Sequence, residues 1–182
     1  MKAQEIKDYL LPLRVSNDDK RYVLNFCKKL EYLESLREKV SKDTNMDVTS
    51  GYGDINSKIC FIFNNVISFN IMKSMIQDKL DMFEINFWQI YVTFVNKVEK
   101  DYPLKYDMLC SELSAIKPDL LYVFDNDIKV YNKILSSISH FKILEPEHHF
   151  FIDVVQLASS DADVQSKMFY DLHYLINYKT LI

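Results

Sequence analysis

Along this chain the spacing of apolar residues alternates between a helical and an extended rhythm. Tyr22, Val23, Phe26, Leu30, Leu33, Leu36 and Val40 recur at three- and four-residue steps, which puts them on one face of a long helix. The residues before it, Ser16-Asn17-Asp18-Asp19, supply capping side chains and acidic first-turn charge, and a shorter amphipathic piece ends near Pro12. The opposite face mixes Lys20, Lys28, Lys29, Arg37 and Lys39 with Glu31, Glu34 and Glu38 and reads as solvated surface. A polar loop over residues 41–50 and a turn flanked by Gly51 and Gly53 lead to an apolar strand at residues 59–63.

The alternation then repeats. A helix over residues 71–83 turns Ile71, Met75, Ile76, Leu80 and Phe83 inward, and the β-branched and aromatic run WQIYVTFV predicts a strand over residues 88–95. After a loop over residues 97–103, Leu109, Leu113 and Ile116 mark a helix ended by Pro118. Residues 120–124 are apolar without alternation, the mark of a strand buried on both faces. A helix over residues 127–139 carries Ile128, Tyr131, Ile134, Leu135 and Ile138, and residues 141–144 offer a fourth short strand. The last helix, residues 161–178, carries Val164, Met168, Leu172, Leu175 and Ile176. Strands alternating with helices predict an α/β fold: a three-layer α/β/α sandwich around a small parallel four-stranded sheet. Residues 1–48 are expected as an N-terminal helical extension packed on a core of residues 49–182.

Composition narrows the partners. The net charge of −4 is unevenly spread, because residues 1–48 carry ten Lys/Arg against nine Asp/Glu while residues 49–182 carry twelve against seventeen. All three arginines, Arg14, Arg21 and Arg37, lie in the first segment. This balance opposes tight, general DNA binding, which draws on phosphate neutralisation by basic side chains, and leaves room only for a weak or local DNA contact. Cys27, Cys60 and Cys110 have neither C-x-x-C spacing nor an even count, so buried thiols are expected rather than disulfides or a zinc site. No apolar run reaches membrane-span length and no secretory signal opens the chain, so the expectation is a cytoplasmic protein without a membrane partner. The bias toward Lys, Asn, Ile, Tyr and Asp fits an AT-rich genome, that of a low-GC bacterium or its phage.

The stretch GYGDINSKICFIFNNVI, residues 51–67, resembles without a gap the first signature of the uracil-DNA glycosylase superfamily, roughly G-x-G-P-x-x-A-x-[apolar]4-G-E-x-P-G in bacterial and archaeal branches. Further pieces follow in order. Tyr91-Val92-Thr93 and Lys97 resemble Y-[IV]-T-N-x-x-K-C, and the run from Glu112 through Leu135 resembles E-L-x-x-I-x-P-x-[IV]2-x-L-G-x-x-A-x-x-x-L-L. Residues 145–150 align with a loop carrying H-P, and residues 167–172 with K-x-x-x-W-x-D-L. The resemblance covers residues 49–178. It implies the fold, a DNA-repair setting, and catalytic positions at Asn64, which would hold a water, and His148, which would polarise the base carbonyl. Phe63, Asn65 and His149 fall on neighbouring substrate-binding positions.

The departures concentrate at those positions. Phe63, Val66 and Ile67 stand where the family uses glycine and proline to let the backbone approach an extruded nucleotide. His149 replaces the family's proline, Asp125 replaces a glycine, and Asp119, Asp125 and Asp127 are expected to make the third strand's end acidic. No cysteine falls on the positions that hold an iron–sulfur cluster in some branches, so no cofactor and no metal are expected. Two functions follow from the resemblance: a catalytically impaired protein acting by binding a protein or DNA partner, or an active glycosylase removing uracil or another damaged base with Asn64 and His148. An unrelated nucleotide-binding protein is disfavoured by the absence of G-x-G-x-x-G and G-x-x-x-x-G-K-[ST] motifs.

Overall fold

The computed structural model describes residues 3–10, 16–98, 102–141, 146–157 and 161–178. The chain divides into two compact units, Met1–Val48 and Thr49–Ile182. In the first, α1 (Ala3–Leu10) packs on α2 (Asn17–Thr44), with Lys7 Nζ 2.5 Å from Glu31 Oε1. The α2 start is a capping box in which the Ser16 hydroxyl accepts from the Asp19 amide and the Asp19 carboxylate accepts from the Ser16 amide. Asn45 ends the helix in the left-handed region at φ 53°. Leu33 and Val40 are buried as the periodicity expects, but Tyr22 is exposed and the thiol of Cys27 is buried instead.

The second unit holds β1 (Ile59–Phe63), α3 (Val66–Asp81), β2 (Tyr91–Phe94), α4 (Lys105–Ile116), β3 (Leu120–Asp125), α5 (Ile128–His140), β4 (His148–Asp153), α6 (Val154–Leu157) and α7 (Ala162–Tyr178). All four strands are parallel, in the order β2-β1-β3-β4. Ile59, Phe61, Phe63, Phe94, Tyr122 and Phe124 point to one face, where they meet Phe69, Met72, Ile76 and Leu80 of α3 and Leu172 and Leu175 of α7. The opposite face is covered by α4 and α5, whose Leu109, Leu113, Ile134 and Ile138 are buried. The result is the three-layer α/β/α sandwich expected from the alternation.

Several details differ from the sequence pattern, each for a physical reason. Helix α3 begins at Val66, where the Asn65 side chain caps it, and its buried stripe runs Phe69, Met72, Ile76, Leu80. Ile71 stands about 200° round from Phe69 at 100° per residue and is exposed. Residues 87–89 form a 3-10 turn rather than the start of a strand, which leaves Trp88 exposed. The fourth strand is His148–Asp153, not residues 141–144: Phe141 caps α5, and residues 142–144 lie outside the described residues. The side chains of Met168 and Ile176 lie outside them as well.

Candidate functional site

Chain order starts at the sheet centre, runs outward to β2, then returns to β3 and continues to β4, so the strand order reverses between β1 and β3. Open parallel sheets place their crevices at the carboxyl ends of strands beside such a switch point. Five polar side chains from four strand ends gather there. Asn64 follows β1, and register places it beside Asp125, one step beyond the Phe63–Phe124 pair. Asp125 is in turn paired with Asp153 on β4. From the β2 side, the Asn96 amide donates to the Asn64 carbonyl at 2.8 Å and the Asn96 side-chain amide donates to Asn64 Oδ1. Asp127 caps α5 by accepting from the Lys129 amide at 2.9 Å.

Most of these groups serve their own backbone. Asn65 is the N-cap of α3, where its Oδ1 accepts from the Ser68 amide at 2.9 Å and the Ser68 hydroxyl at 3.1 Å. Asp125 Oδ1 accepts from the Asp127 amide, and Asp153 Oδ1 from the Val155 amide, both at 2.9 Å. Asp125 Oδ2 is buried and has no hydrogen-bond partner among the described residues. Around this amide and carboxylate centre stand four aliphatic side chains from the first residues of three helices: Val66 and Ile67 of α3, Ile128 of α5 and Val155 of α6. Their fractional exposures are 38%, 66%, 47% and 69%.

The histidines are elsewhere. His148 pairs with Leu120, which pairs with Ile59, so His148 lies level with the amino ends of the strands. Asn64 lies five residues further along the strand direction, about 16 Å at about 3.3 Å per residue. The two therefore do not share an opening, contrary to expectation. The sequence segment expected as a loop is the start of a strand, which draws both histidines into the sheet. The His148 ring lies against Tyr174 at 4.8 Å, and His149 Nδ1 is 2.7 Å from the Tyr131 hydroxyl on the opposite face. Phe63, by contrast, is fully buried in the sheet, stacked on Phe124 at 4.7 Å and 8°. Asp119 likewise belongs to the amino end, where Lys58 Nζ lies 3.3 Å from its carboxylate.

A second polar cluster was not evident as a unit from sequence. Glu112 of α4 is buried beneath β2 with Lys97 Nζ 2.6 Å from Oε2, while the Thr93 hydroxyl donates to Oε2 at 2.7 Å and the Tyr91 hydroxyl to Oε1. Lys97 also donates to the Thr93 hydroxyl. The signal available was faint. Tyr91 and Thr93 alternate on one face of a strand, and Glu112 interrupts the buried row Met108, Leu109, Leu113, Ile116. The cluster sits close to Cys60, whose thiol is held protonated by burial, with the Glu112 charge adding to the effect.

Among the described residues no group of three or more His, Cys, Asp and Glu could hold a metal ion, and no helix is long and apolar enough to cross a membrane. Compared with models of known protein families and with curated proteins, the chain matches neither.

Proposed function

We propose that this chain is a divergent protein of uracil-DNA glycosylase-like architecture that does not excise bases and acts by binding a protein partner at the carboxyl-end rim of its sheet. The observation that carries the reading is the ring of exposed Val66, Ile67, Ile128 and Val155 around Asp125, Asp127 and Asp153. Aliphatic anchors around carboxylates suit a partner that presents apolar side chains beside lysine or arginine. Each anchor, if fully covered, contributes up to about 1.5–3 kcal/mol. The same carboxylates repel a phosphate backbone, which disfavours DNA as the partner. Support against excision comes from Asn64, whose amide is engaged by Asn96, and from the separation of Asn64 and His148.

The test pairs two measurements. In a single-turnover assay with protein in excess over uracil-containing single- and double-stranded DNA, no excision is expected. In affinity capture, a protein retained by the wild type is expected to rebind after purification and to lose about tenfold or more in affinity to Ile67→Lys. Excision abolished by Asn64→Ala, or a partner bound equally well by Ile67→Lys, overturns the reading.

A further inference from the structure

The two edges of the sheet are treated differently. At the β2 edge, Tyr52 forms an antiparallel bridge to Val92, with the Tyr52 amide donating to the Val92 carbonyl at 2.8 Å and the Val92 amide donating back at 2.7 Å. The two glycines make this cover possible. Gly53 has φ +88°, and a Cβ there would lie 1.8 Å from the Ile90 carbonyl oxygen; one on Gly51 would lie 2.2 Å from the Tyr91 hydroxyl oxygen. The bridge occupies the outward peptide groups of Val92, in the middle of this edge, so another chain cannot pair there.

At the other edge, β4 pairs with β3 alone among the described residues. The His148 amide donates to Asp119 at 3.1 Å, toward β3. Peptide groups alternate along a strand, so those of Phe150 and Ile152 turn inward with His148, while the amides and carbonyls of His149 and Phe151 and the amide of Asp153 face outward, the Asp153 carbonyl belonging to the start of α6. The strand sequence HHFFID contains no lysine, proline or glycine, the residues that usually blunt an open edge.

We propose that β4 joins a second copy of this chain, with the two strands antiparallel about a twofold axis through Phe151. The pairing is self-complementary. A perpendicular twofold axis keeps each face of the sheet on the same side, so it pairs residues of equal parity, and the outward-facing residues have that parity. Phe151 then faces its own symmetry mate, and His149 faces Asp153 of the other copy on both sides of the axis. His149 presents its free ring nitrogen because Nδ1 is held by the Tyr131 hydroxyl. A histidine ring nitrogen directly opposite a carboxylate suits a hydrogen bond in this register, and the outward peptide groups of His149 and Phe151, with the Asp153 amide, meet their mates along the joint. The joint shares Asp153 with the rim proposed for a protein partner, but the aliphatic anchors Val66, Ile67 and Ile128 stand on other elements, so Ile67→Lys tests the rim without touching the joint.

Sedimentation and light scattering across a hundredfold concentration range test it. The wild type is expected to be dimeric, and Phe151→Lys, which puts two ammonium groups on the axis, to be monomeric with an unchanged far-ultraviolet circular dichroism spectrum. His149→Asp, which sets carboxylates opposite one another, is expected to weaken self-association about tenfold. Because Phe151 packs near Tyr131 and its replacement could disturb the fold, a cross-link gives an independent readout. Phe151→Cys is expected to form an intermolecular disulfide on mild oxidation, since directly opposite residues there bring Cα atoms to about 5.5 Å, whereas Phe150→Cys is not. A wild type that remains monomeric, or a dimer that survives Phe151→Lys and fails to cross-link through Phe151→Cys, overturns the proposal.

Discussion

Replacing Glu112 with leucine should be among the most damaging single changes in the second unit, although the residue lies in a helix and touches no proposed partner. Glu112 is 4% exposed, as is the Lys97 it pairs with. Removing it leaves a buried ammonium group that still donates to the Thr93 hydroxyl but has lost its counter-charge. Breaking a buried pair from one side costs about 3–5 kcal/mol, against a total stability of about 5–15 kcal/mol for a domain. With a urea dependence of about 2 kcal/mol per M, the midpoint should fall by about 2 M. Lys97→Met should cost less, because the stranded carboxylate keeps hydroxyl donors from Tyr91 and Thr93. The double variant should be less damaged than the sum of the singles by about 2 kcal/mol, since neither charge is then left alone. The measurement is urea unfolding followed by tryptophan fluorescence and circular dichroism on all four proteins. Single-variant losses below about 1 kcal/mol, the scale of an exposed ion pair, or simple additivity would refute the reasoning.

Three further outcomes are expected. Asp119→Asn, which breaks the pair with the partly exposed Lys58, should change stability by less than about 1 kcal/mol in the same assay. Gly53→Ala should lower the melting temperature well beyond a typical surface change, because a left-handed conformation alone costs about 1–3 kcal/mol and the new Cβ meets the Ile90 carbonyl oxygen. Burial raises the Cys110 thiol to about 11, with the Asp107 charge a smaller contribution. The folded form therefore retains a proton that the unfolded thiol gives up near pH 9, so this group's contribution to stability should be present below pH 9 and lost between about 9 and about 11. Urea midpoints measured across that range, with Cys110→Ser as the comparison, check it.

The sandwich was legible because its strands and helices leave different marks. The uninterrupted run Leu120, Leu121, Tyr122, Val123, Phe124 announces a strand covered on both sides, and it is wholly buried. The fourth strand was not legible in the same way. His148 and His149 are exposed and Phe150 and Phe151 only half-buried, because an edge strand needs no continuous apolar pattern. Its polar start has the pattern of a loop, whereas His148 begins the strand at the amino end of the sheet. Asn65 and Asp127 illustrate a second limit. An Asn or Asp at a strand's end serves equally well as a helix cap or a ligand group, and only the observed bonds to Ser68 and Lys129 show which use its oxygen has.

Several residues of the glycosylase-like segments meet around β2, while others of the same segments, Asn64 and Asp125 among them, lie at the crevice. Gly51 and Gly53 allow Tyr52 to cover its edge, while Tyr91, Thr93 and Lys97 converge on Glu112 beneath it. Each of these residues has a demanding local reason to be what it is: a positive φ, a close approach, or a buried polar group that must be bonded. None of those reasons involves a substrate. At the carboxyl-end rim Asn65 and Asp127 cap helices, and beside them the chain carries Val66, Ile67 and Val155 in the open. Folding requirements thus stand behind Gly51, Gly53, Tyr91, Thr93, Lys97 and Glu112, whereas Val66, Ile67 and Val155 are exposed. On the proposed reading the partner docks at the rim, so substitution of Ile67 or Val155 by lysine should leave stability within about 0.5 kcal/mol of wild type while abolishing partner capture. Loss of capture together with loss of stability would instead return those side chains to the scaffold.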